Sequence, residues 1–179
     1  DWLNGLLHNG ISCLALPILI RCYFCWENDA LDKLNEWNNY LRACRETSEL
    51  LLEDEQLGLA LSRLLCDLGI ATRNQLELNN KPCFTTLFAF AGHYWKIPIA
   101  ELMQSFAYSW LENQVSAATK IVPLGQTPAQ KMLLSLLPEI PQAITYAQQI
   151  GDEEIGISLP GHVMASSLHE YQYSRLFRS

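Results

Sequence analysis

No stretch of this 179-residue chain alternates apolar and polar residues for long enough to make a strand. That absence constrains the fold more than any other feature. Apolar side chains recur three and four residues apart, and the runs are cut by proline, glycine and asparagine. At 49% hydrophobic and 17% charged residues, the chain carries enough apolar material for one core and too little charge for disorder. The expected architecture is all-α: a compact single-domain bundle of about seven helices, its body spanning residues 1–170 and a tail residues 171–179.

The helices can be bounded from their punctuation. An apolar helix is expected from Trp2 to Trp26, bent near Pro17. Asn28 and Asp29 supply an N-cap for a helix from Ala30 to about Arg45, with Leu31, Leu34, Trp37 and Leu41 on one stripe. Thr47 or Ser48 caps the next helix, whose Leu51, Leu57, Leu61, Leu64 and Leu65 turn inward before Gly69 closes it. Residues 71–81 read as a polar loop or short helix, and Pro82 opens a helix carrying Leu87, Phe88, Phe90 and Ala91. Pro98 sits at a first helical position, and that helix runs to about Val122. Thr127 to Gln130 has the pattern of a capping box, and Pro138 and Pro141 interrupt the helix it starts. A loop over 151–160 leads into a last helix from about Gly161 to Tyr171.

Composition excludes several functions. A net charge of −7 argues against nucleic acid as a partner. The longest apolar run, Ile11 to Ile20, is short of the roughly 20 residues a bilayer needs, and no signal peptide or lipidation site is visible. Six cysteines without a disulfide framework suit a reducing, cytoplasmic setting. Cys22 and Cys25 form a CxxC pair with no second pair to complete a zinc site, so core packing is the simpler reading. A small helical metal or redox protein using Cys22, Cys25 and the histidines is the alternative. His162 and His169 lie seven apart, wider than the spacing of helical metal ligands. His93 reads as a core or interface ring, and His8 has no obvious partner. No cofactor is expected.

The acidic run Glu46, Glu49, Glu53, Asp54 and Glu55 reads as an exposed face near a helix start, where the dipole favours negative charge. After Pro98, Ser105, Ser109, Glu112, Asn113, Ser116 and Lys120 share one polar side of a helix whose other side is apolar. An ordinary solvated face is the simpler reading; a contact surface rich in small hydroxyls is the sharper one. There is no phosphate-binding glycine loop and no nucleophile–base–orienter set, so no catalytic machinery is expected. The final residues, Tyr171, Tyr173, Arg175, Leu176, Phe177 and Arg178 among them, combine aromatic, aliphatic and cationic side chains without an acid. Those types dominate binding hot spots, and burying Leu176 and Phe177 is worth about 1.5–3 kcal/mol each. Such an end docks, on its own domain or on another protein.

Four strings carry a family resemblance. They are Tyr40-Leu-Arg-Ala-Cys-Arg-Glu-Thr47, Gly58-Leu-Ala-Leu-Ser-Arg-Leu-Leu65, Tyr108-Ser-Trp-Leu-Glu-Asn113 with Lys120-Ile-Val-Pro-Leu-Gly-Gln126, and His169-Glu-Tyr-Gln-Tyr-Ser-Arg-Leu-Phe-Arg-Ser179. Together they resemble the urease accessory protein UreF family. The family opens with a stretch resembling Leu-Pro-x-Gly-Gly-Phe-Ser that is missing here, so the chain reads as N-terminally truncated. The resemblance implies an all-helical, non-catalytic scaffold for nickel delivery into apo-urease, cytoplasmic and homodimeric. It would bind UreD (also called UreH), recruit the GTPase UreG and regulate that GTPase. It further implies that Tyr171, Tyr173, Arg175, Leu176, Phe177 and Arg178 anchor UreD, and that Lys120, Glu112 and Ser116 belong to a UreG-facing surface.

Overall fold

The structure, a computed structural model, describes residues 1–156 and 158–172. Helices account for the regular structure, and no strand occurs among the described residues. The chain begins with α1 (Trp2–Leu6), a π-helical segment (Leu7–Ala15) and α2 (Leu16–Glu27), which run on as one helix. Then come α3 (Leu31–Ala43), α4 (Ser48–Asp67), α5 (Phe84–Tyr94) and α6 (Ile99–Ile121). A 3₁₀ turn over Leu137–Glu139 joins α7 (Gln126–Leu136) to α8 (Ile140–Gln149), and α9 (Pro160–Glu170) is last. With the first three segments counted as one rod and 126–149 as another, seven rods form the all-α bundle expected from the pattern.

The first rod is the axis of the core. Its length and apolar composition match a membrane span, yet Leu7, Leu16, Ile18, Leu19 and Cys22 have no exposure at all. α3, α5, α6 and α8 pack around it. Its aromatic residues keep their polar tips satisfied: Trp26 Nε1 donates to the Thr86 carbonyl at 3.0 Å and the Tyr23 hydroxyl to the Ile97 carbonyl at 3.0 Å. The irregularity expected at Pro17 falls before it, as the π turn. Pro17 has no N–H to give the Cys13 carbonyl four residues back. That carbonyl instead accepts the Gly156 N–H at 2.9 Å, which straps the loop after α8 onto the first rod. Gly156 adopts φ +111°, and a Cβ there would press on the Tyr40 hydroxyl, so the position requires glycine.

Three helix starts differ from the sequence reading. α3 has Ala30 as its N-cap with no side-chain cap, and Asp29 takes φ +52°. Asn28 looks backward instead, its amide bonded to the Phe24 carbonyl at 2.7 Å, so it closes α2. α7 starts at Gln126 behind Gly125, with no capping box; Pro128 then lies in the first turn, where a missing N–H costs nothing. α5 starts at Phe84, two residues after Pro82, because its first N–H groups are received by side chains of other helices.

α4 lies on the outer side of α5. Between them sits a second, smaller core of Leu65, Ala71, Leu76, Leu87 and Ala91. Gly58 lets α4 approach closely, since a Cβ there would strike the Pro82 carbonyl. Only Leu65 of the expected inward leucines is fully buried; Leu57 and Leu64 face outward, as Leu31 of α3 does. α4 packs mainly along one narrow side, so its leucine-rich surface exceeds what α5 covers.

Candidate docking surfaces

Asp54 and Glu55 are buried, which corrects their reading as an exposed acidic face. Arg42 lies in the last turn of α3 and Arg45 in the loop just after it. Arg45 meets Asp54 at 2.7 Å; Glu55 receives Arg42 at 2.8 Å and Lys81 at 2.7 Å. The Lys81 ammonium, joined by the Arg42 guanidinium and opposed by burial, holds the Glu55 carboxyl below the usual carboxylate range. The other Asp54 oxygen accepts the Phe84 N–H at 2.9 Å. Asn38, with no exposure, accepts the Cys83 N–H at 2.9 Å and the Thr86 hydroxyl at 3.0 Å. This cluster is architecture: it locks α3, α4 and the start of α5 together, and its charges are spent on one another.

The cysteines and histidines do not converge. Cys22 and Cys25 are buried, and burial pushes both thiols up, away from the reactive thiolate. Among the described residues no three of His, Cys, Asp and Glu could share a metal ion. His8, which the sequence left without a partner, bonds Glu139 at 3.0 Å and ties the π turn to the α7–α8 junction. His93, half-buried, packs edge-on against Tyr23. His162 and His169 hold α9 to the body. The first sits edge-on against Trp2, where burial lowers its pKa, and the second lies 3.7 Å from Glu49.

Two surfaces remain exposed and patterned. Along α6, Ser105, Tyr108 and Ser109 line a shallow groove of about 570 Å³ whose other wall is Leu137, Ile140 and Pro141. Further along, Glu112, Asn113 and Ser116 face Gln126 and Gln130 of α7 across a cleft of about 400 Å³, floored by Val115, Ala129 and Leu133. Lys120 is exposed at the end of the same helix and stands outside this lining. The polar side expected of α6 is therefore real and half enclosed, with α7 and the turn before α8 as its second wall. Neither cleft could be seen in the sequence, because α7 is placed by tertiary packing.

The other surface is α9. No residue of this helix is buried, and Met164, Leu168 and Tyr171 are 65%, 67% and 88% exposed at helical spacing. Sequence reasoning stopped at Tyr171 and missed Met164 and Leu168; their spacing of four and then three residues was the available signal. Tyr173, Arg175, Leu176, Phe177 and Arg178 lie outside the described residues.

Comparison with known proteins turns this arrangement into an identity. The family model UreF matches residues 1–137. A protein of Teredinibacter turnerae named urease accessory protein UreF is 52% identical over 180 residues, covering 100% of this chain and 80% of its own length. Proteins of the same name from Alkalilimnicola ehrlichii and Psychrobacter cryohalolentis are 44% and 43% identical, again over 100% of this chain, and 78% and 77% of theirs. Identity at that level across every helix of the bundle leaves one assignment: the chain belongs to the UreF family of urease accessory proteins.

Proposed function

We propose that this chain is a non-catalytic scaffold of nickel metallocentre assembly, which docks UreD/UreH through its C-terminal segment and recruits the GTPase UreG, whose activity it regulates. Nickel is cargo of the assembly in this reading, and apo-urease is reached through the complex. Residues 1–170 form the scaffold body and 171–179 the docking tail, working in the cytoplasm.

The observation that carries the reading is α9. A helix with no buried residue and an outward stripe of Met164, Leu168 and Tyr171 is poorly explained by intramolecular packing. It leads directly into a tail of aromatic and arginine residues, the side chains richest in interface energy. Tyr171, Tyr173, Arg175, Leu176, Phe177 and Arg178 are the proposed UreD anchors. The half-enclosed polar side of α6, with Glu112 and Ser116 in the cleft and Lys120 at its end, is the proposed UreG-facing surface. The outward leucines of α4 and the α6 groove offer apolar area for a homodimer.

Pull-down with purified UreD and UreG, separately and together, tests the scheme. Deleting residues 173–179 should abolish UreD capture and leave the helical circular dichroism intact. Melting of the body on deletion would show the tail to be core. The metal or redox alternative on Cys22 and Cys25 predicts stoichiometric tight metal lost with those thiols. Their burial and raised pKa speak for the scaffold.

A further inference from the structure

We propose that α9 is a removable strap that completes the N-terminal cap of α4 in trans, so that drawing the C-terminal segment away also loosens the first turn of α4. The start of α4 leaves backbone N–H groups without intrahelical partners. Thr47 is the N-cap and its hydroxyl accepts the Leu50 N–H at 3.2 Å. The next donor back, the Glu49 N–H, is received by α9: Glu170 Oε1 accepts it at 3.3 Å and accepts the Ser48 hydroxyl at 2.6 Å. A carboxylate there also meets the positive end of the α4 dipole. The Thr47 hydroxyl itself pairs with Ser166 of α9 at 2.7 Å. The first turn of α4 is thus capped from two sources, its Leu50 N–H by Thr47 and its Glu49 N–H by Glu170, a residue 121 positions away.

The strap is built to come off. No residue of α9 is fully buried, although Val163 and Ser166 are half-buried, and the polar contacts along its edge are each worth little in water. They include Thr47 to Ser166, Ser48 and Glu49 to Glu170, and His169 to Glu49, together with the His162 ring against Trp2. The apolar stripe on its outer side gives a partner a handle. Capture at that stripe therefore reaches α4 without any contact between the partner and α4. The regulatory half of this inference rests on the UreD reading above; the trans cap does not.

Hydrogen exchange of single amides in the full chain, followed by NMR, decides both halves. Glu170→Ala should speed exchange of the Glu49 amide by about tenfold, the size of effect a lost side-chain cap has on a helix start. Glu170→Gln, which keeps an oxygen acceptor, should recover part of the protection, and the Leu65 amide should not change in either. An unchanged Glu49 amide in Glu170→Ala overturns the trans cap. So does acceleration of Glu49 and Leu65 together, which would report global destabilisation. Adding purified UreD to the unmodified chain should bring the Glu49 amide to the Glu170→Ala rate. Capture with Glu49 still protected overturns the coupling alone. Absence of capture overturns the docking reading and the regulation with it, while the variant arm still decides the cap.

Discussion

Two helices in this bundle, α5 and α4, have their N-termini completed by side chains from elsewhere in the chain, and the two are built to opposite ends. At α5 the donors go to Asn38 and Asp54, side chains buried among α3 and α4 and themselves locked by Arg45 and Thr86. At α4 they go to Thr47, itself buried, and to Glu170, half-buried on a helix with no fully buried residue. A buried cap has no water to replace it, so losing it costs the full desolvation penalty. A half-exposed cap is exchanged for water at little cost. The first kind makes a joint, and the second makes a latch.

That contrast is open to attack by substitution. Asp54→Ala removes the partner of Arg45 and the acceptor of the Phe84 N–H in one step, and should lower stability by about 3 kcal/mol in urea denaturation. A loss below about 1 kcal/mol would make the joint no stronger than the latch. Asn38→Ala leaves the Cys83 N–H and the Thr86 hydroxyl unmet in the core, and should cost about 2 kcal/mol by the same measurement. At the other start, Thr47→Ala should cost about 1 kcal/mol, since it removes the N-cap bond to the Leu50 N–H and the hydroxyl contact with Ser166, while the rest of the first turn keeps Glu170 as an acceptor.

The smallest effect is expected at Glu55. Its folded pKa is depressed by Lys81 and then Arg42, so its contribution is present above the unfolded carboxylate pKa of about 4.3 and is lost as pH falls through the folded value. Glu55→Gln should therefore flatten the acid limb of a stability–pH curve while leaving the limb above pH 5 parallel. An acid limb that keeps its full slope in the variant would place that linkage on other carboxylates.

The same contrast explains what could and could not be read along the chain. The bundle, its rods and the interruptions at Pro138 and Pro141 follow from periodicity and breakers, which act within a few residues. The cap of α4 was legible to within Thr47 or Ser48, because an N-cap bond spans three residues, and the structure chose Thr47. Asp54 and Glu55 were not: in a linear string of acids nothing shows that Arg42 of α3 and Arg45 of the loop after it meet them. Leu57 and Leu64 misled for the same reason, because a leucine stripe identifies a face without saying whether a neighbour arrives to cover it.

What the sequence alone determined about this chain is local and cumulative: an all-helical bundle, the absence of nucleotide-binding and catalytic motifs, an aromatic-basic end, and the strings that carry the UreF resemblance. Only the tertiary structure decided which side chains complete which helix starts, which acids are buried in ion pairs, and that α9 lies against α4 with no fully buried residue. The physical reason is range. Propensity, capping and periodicity operate over one or two turns, whereas burial and trans-capping depend on pairs of residues tens to more than a hundred positions apart, whose meeting is set by the packing of the whole core.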